Sequence, residues 1–435
     1  MRRALYVLLS TAVFLLLSPV LLLARKTRRG FLERFGVYRQ DAVPEGGWPR
    51  VWLHGASAGD LQALAPMIGR FRERFPDARI VLSTITDTGY LMASRRLRSQ
   101  VDAVVYAPWD LAGSTRRAVR AIRPDLLVLE YAEIWPNLIH AARRSGSRVV
   151  LTNGRFSPDR LRGYRTLFAV FGNPLAALDL LLMREDDEAE RALSLGAPLD
   201  RVWVTGNTKF DGLAVPGPSP EDEGLRAALG VPPDAPVLMG GSTHEGEEEI
   251  LLSVWERLRP AHPGLRLVLA PRYVDRASRL QAWLQGRGVQ AVRRSQGPPG
   301  APVVVLDTIG ELARAYRLAT VVFVGGSFTS RGGQNILEPA AQGRPVLFGP
   351  RMDNFRDSVQ VLLGRGGIQV ADAEQLHRVL SELLGRPDVV ANLGRLAAES
   401  VRAVSGASQR NVDLVARLLL GAGSRPAGRR AGTAG

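Results

Sequence analysis

Residues 51–84 read VWLHGASAGDLQALAPMIGRFRERFPDARIVLST, and this stretch decides the fold prediction. An apolar run, Val51–Leu53, precedes a loop of small residues, an amphipathic segment and a second apolar run, Ile80–Leu82. Short apolar runs that alternate with helical periodicity are typical of the strands and helices of βαβ units. We therefore predict one βαβ unit of a parallel sheet here, with the small-residue loop at the carboxyl end of its first strand.

The same alternation extends along most of the chain in two blocks. Further apolar runs lie at residues 101–106, 126–129, 149–151, 180–183 and 202–204, and then at residues 237–239, 265–269, 303–306, 321–324 and 345–348. Each block fits a doubly wound α/β domain. Ligands of such domains bind at the carboxyl ends of the strands, so two Rossmann-like domains in tandem predict a central cleft between those ends.

Composition changes mark the domain boundaries. We assign residues 1–30 to an N-terminal membrane anchor with a basic flank and residues 31–213 to the first Rossmann-like domain. Residues 214–233 contain five prolines around an acidic segment and are predicted to form a linker with one short helix. Residues 234–420 form the second domain, and residues 421–435 a disordered tail.

The charge balance favours an anionic partner. The 435 residues include 57 Lys and Arg against 42 Asp and Glu, a net charge of +15. This charge suits a membrane surface, a phosphorylated lipid, a nucleotide or a nucleic acid, or it serves solubility alone. No nucleic-acid-binding motif accompanies it, so we predict no nucleic-acid partner.

The N-terminal segment resembles a membrane anchor. Ala4 to Leu23 carry no charge and are long enough to cross a bilayer. Arg25, Lys26, Arg28 and Arg29 follow directly, and such a basic flank is expected to hold the body on the cytoplasmic side of the membrane. A cleaved signal peptide and a monotopic helix remain the alternatives.

Three loops of the first domain carry candidate chemistry. Asp60 ends the loop after the first strand, where it acts either as a carboxylate in the cleft or as a partner of the helix dipole. Glu130 and Glu133 follow the strand 126–129, and two acids there indicate a general base or a hydroxyl-positioning group. Lys209 precedes the linker, where it stabilises a departing phosphate or pairs with Asp211.

The second domain has four strand ends that predict a nucleotide pocket. Ser242, Thr243 and His244 lie where an anion binds a helix N-terminus, and Glu338 lies where a ribose diol would be bound. Other polar or glycine-rich strand ends are at Pro271 and Arg272, at Asp307 to Glu311, and at Gly325 and Gly326.

Several enzyme classes are disfavoured. The sequence has no cysteine, which excludes disulfides and thiolate chemistry, and its five histidines lack the spacing of a sequence-local zinc site. No G-x-G-x-x-G follows the first strand and no P-loop motif occurs. These absences disfavour NAD-dependent and P-loop chemistry.

Five sequence motifs follow one another along the two predicted domains: Glu130-x-x-Glu133-x-Trp135-Pro-Asn137, Gly206-Asn-x-Lys209-Phe-Asp211, Ser242-Thr-His244-x-Gly-Glu247, Phe323-Val-Gly-Gly-Ser327 and Asn335-x-Leu-Glu338-Pro339. In this order they resemble the 3-deoxy-D-manno-octulosonic acid (Kdo) transferases of glycosyltransferase family 30. The resemblance runs from about Phe31 to Leu420. It implies a GT-B architecture with a lipid-binding first domain and a nucleotide-sugar-binding second domain.

The resemblance also implies a reaction and its residues. Kdo would move from CMP-Kdo to a glucosamine hydroxyl of the lipid A precursor, lipid IVA, by an inverting displacement without a metal or other cofactor. Asp60 would be the base, and Glu130 and Lys209 would stabilise the transition state. Contacts to the CMP-sugar would fall on Ser242, His244, Pro271, Arg272, Ile309, Gly310, Glu311, Gly325, Gly326, Asn335, Ile336, Leu337 and Glu338.

One departure from the family pattern lies at the predicted base. The family usually has Glu where this chain has Asp60, and the shorter side chain reaches roughly 1 Å less far. Two alternatives therefore stay open. One is a related GT-B enzyme with a different donor or acceptor, and the other is a catalytically silent paralogue that binds lipid or nucleotide.

Overall fold

The computed structural model describes residues 2–23, 28–39, 42–43, 46–213, 220–296, 300–421 and 429–430. The chain divides into two units: Met1–Gly212 with Ser405–Gly435, and Leu213–Val404. Part of the predicted basic flank, residues 214–219 of the predicted linker and nearly all of the predicted tail lie outside the described residues. The prediction of two Rossmann-like α/β domains is confirmed by the two parallel sheets described below.

The first unit contains an eight-stranded sheet, of which seven strands are parallel, in the order β7-β6-β5-β4-β1-β2-β3. The eighth, Arg429–Arg430, pairs antiparallel with β7, so these two residues of the tail predicted to be disordered form a short edge strand. The chain runs outward from β1 to β3, returns to β4 beside β1, and continues outward on the other side. This reversal is a topological switch point, and the loops after β1 and β4 meet there. Its strands are β1 (Arg50–His54), β2 (Arg79–Thr84), β3 (Ala103–Tyr106), β4 (Leu126–Glu130), β5 (Arg148–Gly154), β6 (Leu180–Met183) and β7 (Val202–Val204).

Helices cover both faces of this sheet, which explains why its strands appear in the sequence as continuous apolar runs. Leu127 and Leu129 belong to the core on one face, and Leu126 and Val128 to the core on the other. Successive side chains of a strand point to opposite faces, so both sets are buried. The helices are α1 (Arg2–Leu23), α2 (Phe31–Arg34), α3 (Ala58–Arg74), α4 (Asp87–Met92), α5 (Ala112–Ile122), α6 (Pro136–Arg144), α7 (Leu161–Phe171) and α8 (Asp186–Ser194).

The second unit repeats the pattern with the sheet order β10-β11-β9-β8-β12-β13-β14. Its switch point lies between β8 and β12, which pair in parallel. The sequence analysis missed β10 and β14, since each is a three-residue strand at a sheet edge with no long apolar run. The strands are β8 (Val237–Thr243), β9 (Arg266–Pro271), β10 (Ala291–Arg293), β11 (Val303–Val305), β12 (Val321–Val324), β13 (Val346–Phe348) and β14 (Gly367–Gln369).

The helices of the second unit separate most of these strands in the chain. The first of them lies within the predicted linker, as expected for its short helix. They are α9 (Pro220–Ala228), α10 (Glu247–Leu258), α11 (Ala277–Gly286), α12 (Leu312–Ala315), α13 (Leu337–Ala341), α14 (Arg356–Leu362), α15 (Ala373–Leu384) and α16 (Pro387–Val404).

The last helix, α17 (Ala407–Leu420), corrects the predicted boundary at residue 420, because it belongs to the first unit. Val412 and Val415 are buried in the core that α3 forms with the first sheet. The carboxylate of Asp211 holds the start of α17 by accepting hydrogen bonds from the backbone N–H groups of Gly406 and Ser408. Asp211 is therefore a helix cap.

The N-terminal helix α1 is long and apolar enough to cross a membrane, with a mean hydropathy of 1.8 over Arg2–Val20. Membrane anchors and signal sequences share this length and composition. The helix also contacts the first domain: the Tyr6 hydroxyl donates to Asp110 at 2.8 Å, and the Phe14 ring lies 5.7 Å from the Trp109 ring.

Candidate functional site

Asp60 lies at the switch point of the first sheet, in the first turn of α3. Its Oδ2 accepts a hydrogen bond from the Ser57 N–H at 2.9 Å, and the Ser57 hydroxyl accepts one from the Asp60 N–H at 3.4 Å. The two residues form a capping box. Among the described residues, Oδ1 of Asp60 accepts no hydrogen bond, so one oxygen is held in place and the other is available.

Glu130, the last residue of β4, lies near Asp60 but is fully buried. The Thr152 hydroxyl donates to its Oε2 at 2.6 Å, and the Asn153 amide donates to its Oε1. Burial raises the pKa of Glu130 to about 8, against the opposing effect of these two hydrogen bonds, and the charge of Asp60 adds to the increase. The carboxyl group is therefore enclosed and cannot contact a substrate in this conformation.

Asn153 connects Glu130 to the loop that carries Lys209. Its amide nitrogen lies 2.5 Å from the Thr208 hydroxyl, and its Oδ1 accepts from the Thr208 N–H at 3.0 Å. The Thr208 hydroxyl in turn donates to the Ala63 carbonyl of α3 at 2.7 Å. The next side chain, Lys209, is exposed. Three strand-end loops of the first domain are thus held together around Glu130.

The other residues of the Glu130 motif make structural contacts. Oε2 of Glu133 accepts from the Trp135 indole at 2.8 Å and lies 3.5 Å from Nε2 of His54, a buried residue. Asn137 donates through its amide to the Asp110 carbonyl at 2.7 Å. Glu133 therefore fixes the loop through Oε2, and its role as a general base or hydroxyl-positioning group stays a prediction.

In the second domain, Glu247 is fully buried and accepts four backbone hydrogen bonds. Its Oε2 accepts from the N–H groups of His244 at 2.9 Å and Gly326 at 2.7 Å. Its Oε1 accepts from Ser327 and Phe328, both at 3.0 Å. One carboxylate thus joins the loops after β8 and β12, and the Gly326 N–H is not available to a nucleotide.

The neighbouring Gly325 is required by the close approach of these two loops. A Cβ atom there would lie 2.6 Å from the Thr243 Cα and 2.7 Å from the Glu247 Oε2. Any side chain at this position would push the two loops apart.

His244 and Arg272 come together at the ends of β8 and β9. The Arg272 N–H donates to the Thr243 carbonyl at 2.9 Å, and the His244 ring lies 5.8 Å from the Tyr273 ring. Burial lowers the pKa of His244, and the positive charge of Arg272 contributes. Nε2 of His244 is buried without a partner within the part of the chain that the structure describes. An unpaired buried nitrogen beside an arginine is a feature of an anion site.

Glu338 and Asn335 form the adjoining part of this site. The Asn335 amide donates to Oε1 of Glu338 at 3.1 Å, and its Oδ1 accepts from the Leu337 N–H at 3.1 Å. Burial raises the pKa of Glu338, while Asn335 and the charge of Arg272 oppose the increase. The charge of Arg272 therefore lowers the pKa of both His244 and Glu338, as expected if the three residues belong to one nucleotide pocket. Of the other predicted residues, Ser242 is hydrogen-bonded to the Tyr316 hydroxyl, Pro271 ends β9, and Ile336 and Leu337 are buried.

The loop after β11 presents an apolar side chain to solvent. Ile309 is 90% exposed, and Gly310 next to it has a φ of 92°. Glu311 is held by the Thr308 hydroxyl and by Arg294 at 3.2 Å. A large exposed apolar residue at a strand end suits contact with a flat ring such as a base.

The sequence analysis missed Asn153, Thr208 and Tyr316 as site residues. The only signal for Asn153 was the Asn-Gly pair after a strand, which indicates a positive φ, and the φ of Asn153 is 49°. Nothing local marked Thr208 or Tyr316, since their partners are distant in the chain.

Comparison with known proteins identifies the family. The profile described as 3-Deoxy-D-manno-octulosonic-acid transferase (kdotransferase) matches residues 29–212. A 3-deoxy-D-manno-octulosonic acid transferase of Bordetella pertussis is 33% identical over 83% of this chain and 86% of its own. The Chlamydophila psittaci protein of that name is 31% identical over 82% and 81%.

A solved structure shares the fold. The UDP-GlcNAc 2-epimerase from Neisseria meningitidis superposes with a TM-score of 0.58 at 15% identity, covering 85% of this chain and 100% of that one. This likeness agrees with the two Rossmann-like domains. On the sequence relatives, the chain is a glycosyltransferase that belongs to the 3-deoxy-D-manno-octulosonic acid (Kdo) transferase family.

Proposed function

We propose that this protein transfers Kdo from CMP-Kdo to a glucosamine hydroxyl of the lipid A precursor. The observation that carries the proposal is the group of His244, Arg272 and Glu338 at the strand ends of the second domain. A CMP-sugar has one phosphate and a ribose diol. One arginine beside an unpaired histidine nitrogen suits the phosphate, and a nearby carboxylate suits the diol.

The leaving group determines what the second domain must stabilise. CMP departs as a phosphate monoester, so negative charge grows on its phosphate as the bond to the anomeric carbon breaks. Arg272 stabilises this charge, and Nε2 of His244 donates to it in the protonated state or in the tautomer with hydrogen on Nε2. Among the described residues, no three His, Asp or Glu side chains are grouped closely enough to hold a metal ion. We propose that these side chains carry out the reaction without a metal or other cofactor.

In the first domain, Asp60 is the proposed general base. Its Oδ2 is fixed by the Ser57 N–H, which orients the available Oδ1 to accept the proton of the acceptor hydroxyl. Lys209 is exposed on a loop that Thr208 and Asn153 connect to Glu130. We propose that Lys209 binds the acceptor or stabilises the growing negative charge of the leaving phosphate. Glu130 is a positioning residue in this mechanism, since its carboxyl group is enclosed.

We place the enzyme on the cytoplasmic side of the inner membrane. The apolar helix α1 supports this location, as does the net charge of +15, which favours an anionic membrane surface. A lipid acceptor requires a location at the membrane, because its acyl chains remain in the bilayer while the hydroxyl reacts.

The test is transfer of labelled Kdo to the tetra-acylated lipid A precursor by the purified full-length protein. CMP-Kdo is made in situ and a chelator is added afterwards, so that a product also establishes metal independence. Asp60→Ala is the negative control, with CMP titration to show that the second domain is intact. A panel of CMP- and UDP-sugars covers other donors. Absence of product with CMP still bound would refute the proposed donor–acceptor pair and favour a different acceptor or a silent paralogue.

A further inference from the structure

Arg331 lies in the turn that connects β12 to α13 in the second domain. Gly332 and Gly333 follow it with φ values of 77° and 84°, in the left-handed region that favours glycine. The Gly333 N–H donates to the Gly326 carbonyl at 2.8 Å, so the chain folds back onto the end of β12. Because Glu247 joins the loop at Gly326 to the loop after β8, this turn lies beside the nucleotide pocket.

Asn354 fixes the backbone of the turn. Its amide donates to the Arg331 carbonyl at 3.0 Å, and its N–H donates to the Gly332 carbonyl, also at 3.0 Å. The Arg331 side chain is exposed, and its guanidinium forms no hydrogen bond or ion pair with the residues that the structure describes. An exposed arginine by itself is common on protein surfaces. What distinguishes Arg331 is its position beside His244.

The neighbouring strand ends bring positive charge to His244. In the sheet, β8 lies between β9 and β12, so the loop that carries His244 is flanked by Arg272 after β9 and by Arg331 after β12. Burial lowers the pKa of His244, and the charge of Arg331 adds more to this decrease than the charge of Arg272. Arg276, a third cation near the imidazole, is paired with Glu248 at 3.1 Å. Two arginines thus remain to bind anions.

The proposed donor carries two negative charges next to each other. Kdo is a sugar acid, and in CMP-Kdo its anomeric carbon bears both the carboxylate and the phosphate of CMP. A guanidinium binds a carboxylate through two parallel N–H···O bonds, a geometry that a neutral sugar cannot provide.

We propose that Arg331 binds the carboxylate of the donor sugar while Arg272 binds the neighbouring phosphate, which makes Arg331 a determinant of specificity for sugar acids. This inference rests on CMP-Kdo as the donor in the proposed function. The carboxylate keeps its charge while the bond to the phosphate breaks. Arg331 therefore contributes to binding of the donor more than to the rate of the chemical step.

The test compares binding of CMP-Kdo and of CMP to the full-length protein in detergent. Freshly made CMP-Kdo and CMP each displace a fluorescent CMP derivative in a stopped-flow experiment, so that the donor is measured within seconds of mixing. Arg331→Gln should weaken binding of CMP-Kdo about ten- to a hundred-fold, the range for hydrogen bonds to a charged group, and binding of CMP less than about five-fold. In the transfer reaction this variant should raise KM for the donor and leave kcat within about three-fold.

Arg365→Gln is the matched control, since Arg365 is exposed and precedes β14, at the opposite edge of the same sheet. It should leave both affinities unchanged. Arg331→Lys keeps the charge but not the two parallel bonds, so it should lose less affinity for CMP-Kdo than the glutamine variant, and it supplies the measurement if the glutamine variant does not fold.

The outcomes separate this inference from the proposed function. If wild-type protein prefers CMP-Kdo to CMP and Arg331→Gln keeps that preference, or if Arg365→Gln loses it equally, the role of Arg331 is wrong and the proposed donor stands. If wild-type protein binds CMP but shows no preference for CMP-Kdo, the proposed donor is wrong as well. A preference that Arg331→Gln alone loses, without transfer of Kdo to the lipid, would support Arg331 and refute only the proposed acceptor.

Discussion

Replacing Glu247 by Gln should destabilise the second domain and weaken its affinity for CMP. The carboxylate accepts four backbone hydrogen bonds, two on each oxygen, from the loops after β8 and β12. An amide has the same shape but only one acceptor. Its NH₂ group would face two N–H donors in a fully buried position.

The magnitude follows from the number of bonds lost. Hydrogen bonds to a charged group contribute about 1.5–3 kcal/mol each, so the loss of two costs about 3–6 kcal/mol. This is a large part of the roughly 5–15 kcal/mol by which a typical domain is stable. The two loops also carry His244 and Gly325, so their separation should weaken CMP binding at least about ten-fold, or about 1.4 kcal/mol.

The assay is urea unfolding of the full-length protein in detergent, together with a calorimetric titration of CMP. Glu249→Gln is the matched control, since Glu249 lies in the same first turn of α10 but is exposed. Loss of its interaction with the helix dipole should cost no more than about 1 kcal/mol. If Glu247→Gln unfolds within about 1 kcal/mol of this control and binds CMP normally, the assigned role of Glu247 is wrong.

Three further predictions concern the chemistry. Asp60→Asn should reduce turnover at least about 100-fold while CMP affinity is unchanged, and Asp60→Glu should retain or raise turnover; equal transfer by all three proteins would show that Asp60 is not the base. The pKa of Glu130 is raised from 4.5 in the unfolded chain to about 8 in the folded protein. The free energy of unfolding of the wild type should therefore decrease as the pH rises from 4.5 to 8, by up to about 1.4 kcal/mol for each pH unit. Glu130→Gln should lack this loss, and parallel unfolding curves against pH would contradict the assignment. Glu338→Gln should reduce the preference for CMP over 2′-deoxycytidine monophosphate, whereas Arg272→Gln should weaken both nucleotides equally; the reverse pattern would exchange their roles.

The strands were predictable because burial on both faces of a parallel sheet leaves an uninterrupted apolar run. The run at 126–129 became the strand Leu126–Glu130, and the run at 321–324 became Val321–Val324. The three-residue edge strands β10 and β14 contain too few buried side chains to give such a run. The position of α17 could not be predicted either, since an amphipathic pattern indicates that one face of the helix is buried but not which sheet covers it.

The sequence predicted which strand ends carry the candidate residues but not what each side chain does. Strand-end loops in a doubly wound sheet lie at one edge whatever their sequence, so the strand ends that carry the predicted residues could be identified. Burial decided the roles, and burial depends on neighbours that are distant in the chain. Asp60 and Glu130 were both acids after a strand, yet one has an available oxygen and the other is enclosed by Thr152 and Asn153.

Each domain uses a fully buried glutamate to hold strand ends together. Glu247 joins the loops after β8 and β12 at the switch point of the second sheet, whereas Glu130 joins the end of β4 to the end of β5 through Thr152 and Asn153. These acids are therefore engaged in architecture. The groups that we propose contact substrates are Asp60 and Lys209 in the first domain and Arg272, His244 and Glu338 in the second. That division is what the proposed reaction requires, since the acceptor hydroxyl must lose a proton while the departing phosphate gains negative charge.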